Sequence, residues 1–175
     1  PGPDNVPRVA GRLGLPESRV RAAAALDERF ALVPSGARAW SGAEIAADDS
    51  GWSVQGLTPG ADGVLVAEDA DPRLVSPYLG LRMDGLEGVR VKMSIGGGRE
   101  QAWCELFYLL EGRYLFEQEL SAGGMFHFAP GESIEVVVPF PEVVRETGRF
   151  LVRLRLDPVA GDPGAPVTID SVSLV

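Results

Sequence analysis

The sequence predicts a mainly β protein, an antiparallel sandwich or jelly roll, with a helical arm at its N-terminal end. Three observations carry this reading. From about Ala39 onward the apolar residues recur with a period of two. Eight short runs of this kind are separated by clusters of Gly, Pro, Asp and Ser. No helix-length pattern lies between them, which argues against parallel βαβ units.

Residues 1–39 form the arm. "PGPDNVPRVAGRLG" is a linker by composition. Residues 16–32, "PESRVRAAAALDERFAL", follow as a helix: Pro16 and Glu17 suit a first turn, and the alanines propagate it. Val20, Ala23, Leu26 and Phe30 recur along one stripe, so the helix needs a surface to pack on. The opening "PGPDNVP", without a Met, leads us to expect a piece of a larger protein or a processed product.

Residues 40–175 form the β domain. The strand candidates are "WSVQGL", "GVLVAE", "GVRVKMSI", "AWCELFYLL", "RYLFEQEL", "SIEVVVPF", "FLVRLRL" and "VTIDSVSLV". The segments "TPGADG", "GGGRE", "SAGG" and "PVAGDPGAP" read as the turns between them. "LLEGRYL" reads as a tight hairpin in which Gly112 supplies a positive φ. "PEVVRETG" is a helix of a turn or two. In "VTIDSVSLV" the alternation slips phase, and a bulge near Asp170 and Ser171 restores one inward row.

Alternation assigns faces. Val89, Val91, Met93 and Ile95 point inward, with Arg90 and Lys92 outward. Phe150, Val152, Leu154 and Leu156 are expected inward, with Arg153 and Arg155 outward. "AWCELFYLL" is apolar on both sides, with Trp103, Glu105 and Phe107 in one row and Cys104, Leu106 and Tyr108 in the other. Such a strand is either covered on both faces or carries an exposed aromatic platform.

Composition excludes several functions. The chain has 175 residues, 45% of them hydrophobic and 23% charged, as in a folded domain. Its 25 acidic against 16 basic residues give a net charge of −9, the wrong sign for nucleic acid or an anionic membrane surface. No apolar run approaches the ~20 residues needed for membrane insertion as a helix. The single Cys104 rules out an internal disulfide and a cysteine-based metal cage, and favours a reduced compartment such as a bacterial cytoplasm, with a bacterial exported protein also compatible.

Catalytic sets are missing too. His127 is the only histidine and has no serine nucleophile or metal-spaced partner nearby in sequence. "GGGRE" lacks the Lys-Ser/Thr of a phosphate loop and reads as a turn. Asp48, Asp49, Glu68 and Asp69 lie in turn-like segments, where solvated charge is the simpler role. "EDADPRL" and "RLRLDP" each place Asp before Pro, which is turn chemistry; calcium is the alternative, but no dense D-x-D pattern supports it. No cofactor is expected.

What remains is the outward surface. If Trp103, Glu105, Phe107, Arg90, Lys92, Arg153 and Arg155 share one face, it combines aromatic plates with cationic forks. Such a surface holds sugars by stacking and hydroxyl hydrogen bonds. Alternatively a neighbouring element covers the aromatics and the arginines are ordinary solvent charge.

A family resemblance bears on this choice. "VTIDSVSL" resembles the closing strand of carbohydrate-binding modules with the galactose-binding-like jelly-roll fold. The order from "AWCELFYLL" through "VRLRLDP" to "VTIDSVSLV" is similar to accessory β-sandwich domains beside bacterial glycosyltransferases and related carbohydrate-active enzymes. Those carry an Ala-Gln-Leu-aromatic-Trp strand and then a Leu-Arg-Leu-Asp-Pro strand. Here Cys104, Glu105, Leu106, Phe107 and Tyr108 stand at the first, replacing its Gln and Trp, while Leu154, Arg155, Leu156, Asp157 and Pro158 keep the second. "EDADPRLVSPYLGL" also resembles the Asp-Pro segment before the first core strands, so the likeness spans roughly residues 50–175.

The resemblance implies a non-catalytic carbohydrate-binding accessory module of a larger carbohydrate-active protein, with a saccharide and a neighbouring domain as partners. Two alternatives stand beside it. One is a structural or docking module that positions a catalytic domain or mediates oligomerisation. The other is a jelly-roll glycosidase or lyase, which would need two facing carboxylates in a groove.

Overall fold

The computed structural model describes residues 38–47, 49–60, 64–129 and 132–175. They fall within one compact unit, Ser35–Val175. Of the linker and helix expected over 1–39, residues 1–37 lie outside the described residues.

Twelve strands among the described residues form two antiparallel six-stranded sheets, a β-sandwich of jelly-roll type. In chain order the elements begin β1 (Ala39–Ser41), α1 (Gly42–Ala46), β2 (Ser53–Gln55), β3 (Leu57–Pro59), β4 (Leu65–Ala67), β5 (Arg73–Val75) and β6 (Leu81–Arg82). The long strands β7 (Gly88–Ile95), β8 (Gln101–Leu110), β9 (Ser121–His127) and β10 (Ile134–Pro139) follow. Then come α2 (Glu142–Arg145), β11 (Phe150–Ala160) and β12 (Pro166–Leu174). The first sheet runs β10-β7-β12-β4-β3, with β1 on β12; the second runs β2-β5-β11-β8-β9, with β6 on β11.

The core lies between the sheets. From the first come Val89, Val91, Met93 and Ile95 of β7 and Val167, Ile169, Val172 and Leu174 of β12. From the second come Ala102, Cys104, Leu106, Tyr108 and Leu110 of β8 and Leu151, Leu154 and Leu156 of β11. Each fully buried aliphatic side chain contributes about 1.5–3 kcal/mol. The register of β12 on β7 shifts between Ile169 and Ser171, the place where the alternation required a bulge, so Val172 and Leu174 return to the core.

Several elements differ from the sequence expectation. "RYLFEQEL" is not a strand. After β8 the chain turns at Gly112 (φ 84°), where the Arg113 N–H donates to the Leu110 carbonyl at 3.0 Å. It continues as a loop closed by an Arg113–Glu117 ion pair at 3.0 Å, then a 3₁₀ turn at Gln118–Leu120. The strand is instead "SAGGMFH", whose glycines read as a turn. Gly123 is required by close approach: a Cβ there would sit 2.7 Å from the Cys104 carbonyl oxygen.

"WSVQGL" is two strands in two sheets. Gly56, at φ 63°, is where the chain passes from β2 in the second sheet to β3 in the first. On β11 a register shift between Leu151 and Arg153 makes Leu151 the inward residue, while Phe150 and Val152 are only half-buried. Asp157 and Pro158 lie inside β11, not in a turn; the turn comes after Ala160. The helix α1 carries a signature in the sequence, the S-x-x-E of a capping box at Ser41 and Glu44, that the period-two reading does not reveal. The Ser41 Oγ accepts the Glu44 N–H, and the Glu44 carboxylate accepts the Ser41 N–H at 2.6 Å. Helix α2 lies where "PEVVRETG" was read.

Candidate saccharide-binding face

The outward row of β8 sits on the second sheet's outer face, flanked by β11 and β9. Register therefore decides what surrounds each side chain. Trp103 lies opposite Met125 on one side and Ala160 on the other. Glu105 lies between Gly123 and Asp157, and Phe107 between Ser121 and Arg155.

Trp103 is 43% exposed and Met125 50% exposed, so an indole plate and a thioether lie side by side in solvent. The next pair along, Gln101 and His127, is also exposed. Because Gly123 has no side chain, nothing from β9 covers Glu105 at that register position. The Glu105 Oε1 accepts the Ser121 hydroxyl at 2.9 Å and the Gln118 amide, and that amide also donates to Ser121 Oγ at 3.0 Å. A half-buried carboxylate is thereby held in one orientation beside the indole.

Phe107 is not a platform. It is buried, with Phe116 packed edge-on at a centroid distance of 6.5 Å and the Arg155 guanidinium stacked 4.8 Å from its ring centre. Arg155 itself is committed. Its Nε donates to Asp157 Oδ1 at 2.7 Å, and its Nη2 donates to Asp157 Oδ2 and to Asp71 Oδ1, each at 2.6 Å. Burial works against the Arg155 charge, yet its bond to Asp157 and the charges of Asp157, Asp71 and Glu105 raise the guanidinium above its ordinary value. Burial likewise raises the Asp157 carboxyl, against the pull of Arg155.

The structure thus divides the seven residues singled out from the sequence. Trp103 and Glu105 are neighbours on an open surface. Phe107 and Arg155 lie beside them but serve the packing of the loop and the strand. Arg153, half-buried on the same strand, donates to the Ser76 carbonyl at 3.3 Å. Arg90 and Lys92 belong to the first sheet's outer face, where Arg90 lies 3.4 Å from Glu135, so they do not share a surface with Trp103. Sequence reasoning did not find Ser121, Gly123 and Met125, because "SAGG" at the start of β9 reads as a turn, nor Gln118, because "RYLFEQEL" reads as a strand. The signal of β9 was the alternation of Ala122, Gly124 and Phe126 with the more exposed Gly123, Met125 and His127.

The Asp-Pro segment at 69–72 is turn chemistry. Asp69 Oδ1 accepts the Asp71 N–H at 3.0 Å, and Asp71 faces Arg155 and Arg73. Among the described residues no group of three or more His, Cys, Asp or Glu side chains is placed to hold a metal ion. Cys104 points into the core, its thiol donating to the Pro158 carbonyl at 2.8 Å, and burial pushes it up to about 12. No helix among the described residues is long and apolar enough to cross a membrane.

No family model matches the chain. No curated protein matches it either. Among solved structures it is similar to CBM86, a low-affinity xylan-binding module of the gut symbiont Roseburia intestinalis. That match has a TM-score of 0.45 and 12% identity, covering 79% of this chain and 93% of that one. A family 35 carbohydrate-binding module from Clostridium thermocellum gives 0.46 at 12% identity, covering 78% and 97%. The C-terminal CBM6 of LamC, a laminarinase of Zobellia galactanivorans, gives 0.41 at 10% identity, covering 77% and 97%.

Proposed function

We propose that the second sheet's outer face binds a saccharide, and that the domain is a non-catalytic accessory module of a larger carbohydrate-active protein. One observation carries this reading: an exposed Trp103 plate lies two residues along β8 from Glu105, on the same face, and that carboxylate is pre-oriented by Ser121 and Gln118. The apolar face of a sugar ring stacks on the indole, with Met125 widening the platform. A hydroxyl of the same ring donates to Glu105 in a charge-assisted hydrogen bond, stronger than one between neutral groups. Because the two donors already hold Glu105, little conformational freedom is lost on binding.

Geometry also argues against hydrolysis here. Asp157 is the carboxylate opposite Glu105, but it is 2% exposed and locked by Arg155, so the pair does not offer an acid and a base to a substrate. The neighbouring domain would supply the chemistry. The experiment is a glycan array with the wild-type protein and Trp103→Ala. Binding that is lost in the variant supports the reading; an array silent for wild type, or unchanged by the substitution, overturns it.

A further inference from the structure

On the footing that this face binds saccharide, we infer that it takes an internal stretch of an uncharged polysaccharide, lying along β8, rather than a chain end or an acidic glycan. The apolar ends of the strip, Trp103 at one and the loop over the buried Phe107 at the other, set the length. Trp103 and Phe107 lie four residues apart in one row, about 14 Å at ~3.4 Å per residue. Over Phe107 the 113–117 loop is pinned by Phe116 and closed by the Arg113–Glu117 ion pair. That loop holds Tyr114 87% exposed and Leu115 72% exposed. Between the two apolar ends lie Glu105, Ser121 and Gln118. A single ring stacked on Trp103 would leave the loop unused; a chain of several rings reaches both ends and crosses the polar cluster between them.

The shape agrees with passage rather than capture of an end. Gln101 and His127, beyond Trp103, are exposed side chains rather than residues packed under a loop. Sites that enclose a small ligand are concave and bury most of its surface, whereas Trp103 and Met125 stand on an open sheet. Charge sets the class. Glu105 occupies the middle of the strip, and Oε1 takes both protein donors, which leaves Oε2 to accept hydroxyls. Arg155, on the adjoining strand, is already bound to two carboxylates. With a net charge of −9 on the chain, a uronate is repelled both locally and at long range.

The test is calorimetric titration of the whole chain with disaccharides and hexasaccharides of the xylo-, cello- and manno- series, and with oligogalacturonides of both lengths. At least one neutral hexasaccharide binds about tenfold or more tightly than its disaccharide, a 1.4 kcal/mol difference. Tyr114→Ala, at a position too exposed to disturb folding, abolishes that gain and leaves disaccharide affinity unchanged. Oligogalacturonides bind more weakly than the neutral chains. Equal affinity for both lengths, a silent Tyr114→Ala, or preference for oligogalacturonide overturns the inference while saccharide binding itself stands. Absence of binding to every probe removes the saccharide reading and this inference with it.

Discussion

Arg155 grips Asp157 two residues along its own strand, with Nε and Nη2 at 2.7 and 2.6 Å from the two carboxylate oxygens. Alternation puts positions 155 and 157 on one face, so the fork and the carboxylate meet without any long-range folding constraint. Asp157 is 2% exposed, and the guanidinium lies over Phe107, the ring on which Phe116 of the following loop packs. The clamp supports the candidate face and takes no part in it.

Removing Asp157 takes away both bonds of the fork and leaves Arg155, largely buried, with only the exposed Asp71 carboxylate as an ion-pair partner. Asp157→Ala should therefore cost about 3 kcal/mol in urea denaturation. Asp71→Ala, which removes only the carboxylate that is 60% exposed, should cost less than about 1 kcal/mol. The double variant Arg155→Met, Asp157→Leu should recover most of the loss, because burial itself disfavours the Asp157 charge. Equal costs for Asp157→Ala and Asp71→Ala would refute the clamp.

Gly123 keeps β9 close to β8 and leaves Glu105 uncovered. A Cβ there meets the Cys104 carbonyl oxygen at 2.7 Å and Glu105 Cβ at 3.1 Å, and backbone cannot give way as a side chain can. Gly123→Ala should destabilise by about 1–3 kcal/mol and weaken saccharide binding more than its stability loss explains. Gly124→Ala, whose Cβ meets nothing within 4 Å, should be well tolerated. The comparison is a pair of melting curves and a pair of binding isotherms.

Cys104 should be inert in the native state. With the thiol pushed up to about 12, almost none is thiolate at pH 8, and the group is 4% exposed. Its folded value lies above the unfolded one, so its contribution to stability is fully present below about pH 8.5 and is lost as pH rises toward 12. Alkylation by iodoacetamide should be slow in buffer and rapid in denaturant. Rapid modification of the folded chain would place the thiol outside the core.

Strands buried on one face were legible in the sequence because alternation is a local signal. "GVRVKMSI" gave β7 to the residue, and the phase slip in "VTIDSVSLV" located the β12 bulge at Asp170. Legibility failed where a glycine does a tertiary job. Gly56 marks a change of sheet and Gly123 a close strand approach, and both look like turn residues without their neighbours. The site was half legible for the same reason. Trp103 and Glu105 share a strand and parity alone puts them on one face, whereas Ser121 and Gln118 reach Glu105 only through the β8–β9 pairing. Arg90 and Lys92 were grouped with them because parity assigns a residue to a face but not to a sheet.

Amide and indole chemical-shift mapping during titration with neutral hexasaccharides goes to the heart of the account. The shifts should cluster at the Trp103 indole N–H, the Gln118 side-chain amide and the backbone of residues 103–105 and 121–125, with the buried indoles of Trp40 and Trp52 unmoved. Shifts gathered on the first sheet around Arg90 and Lys92, or none with any sugar, would contradict it.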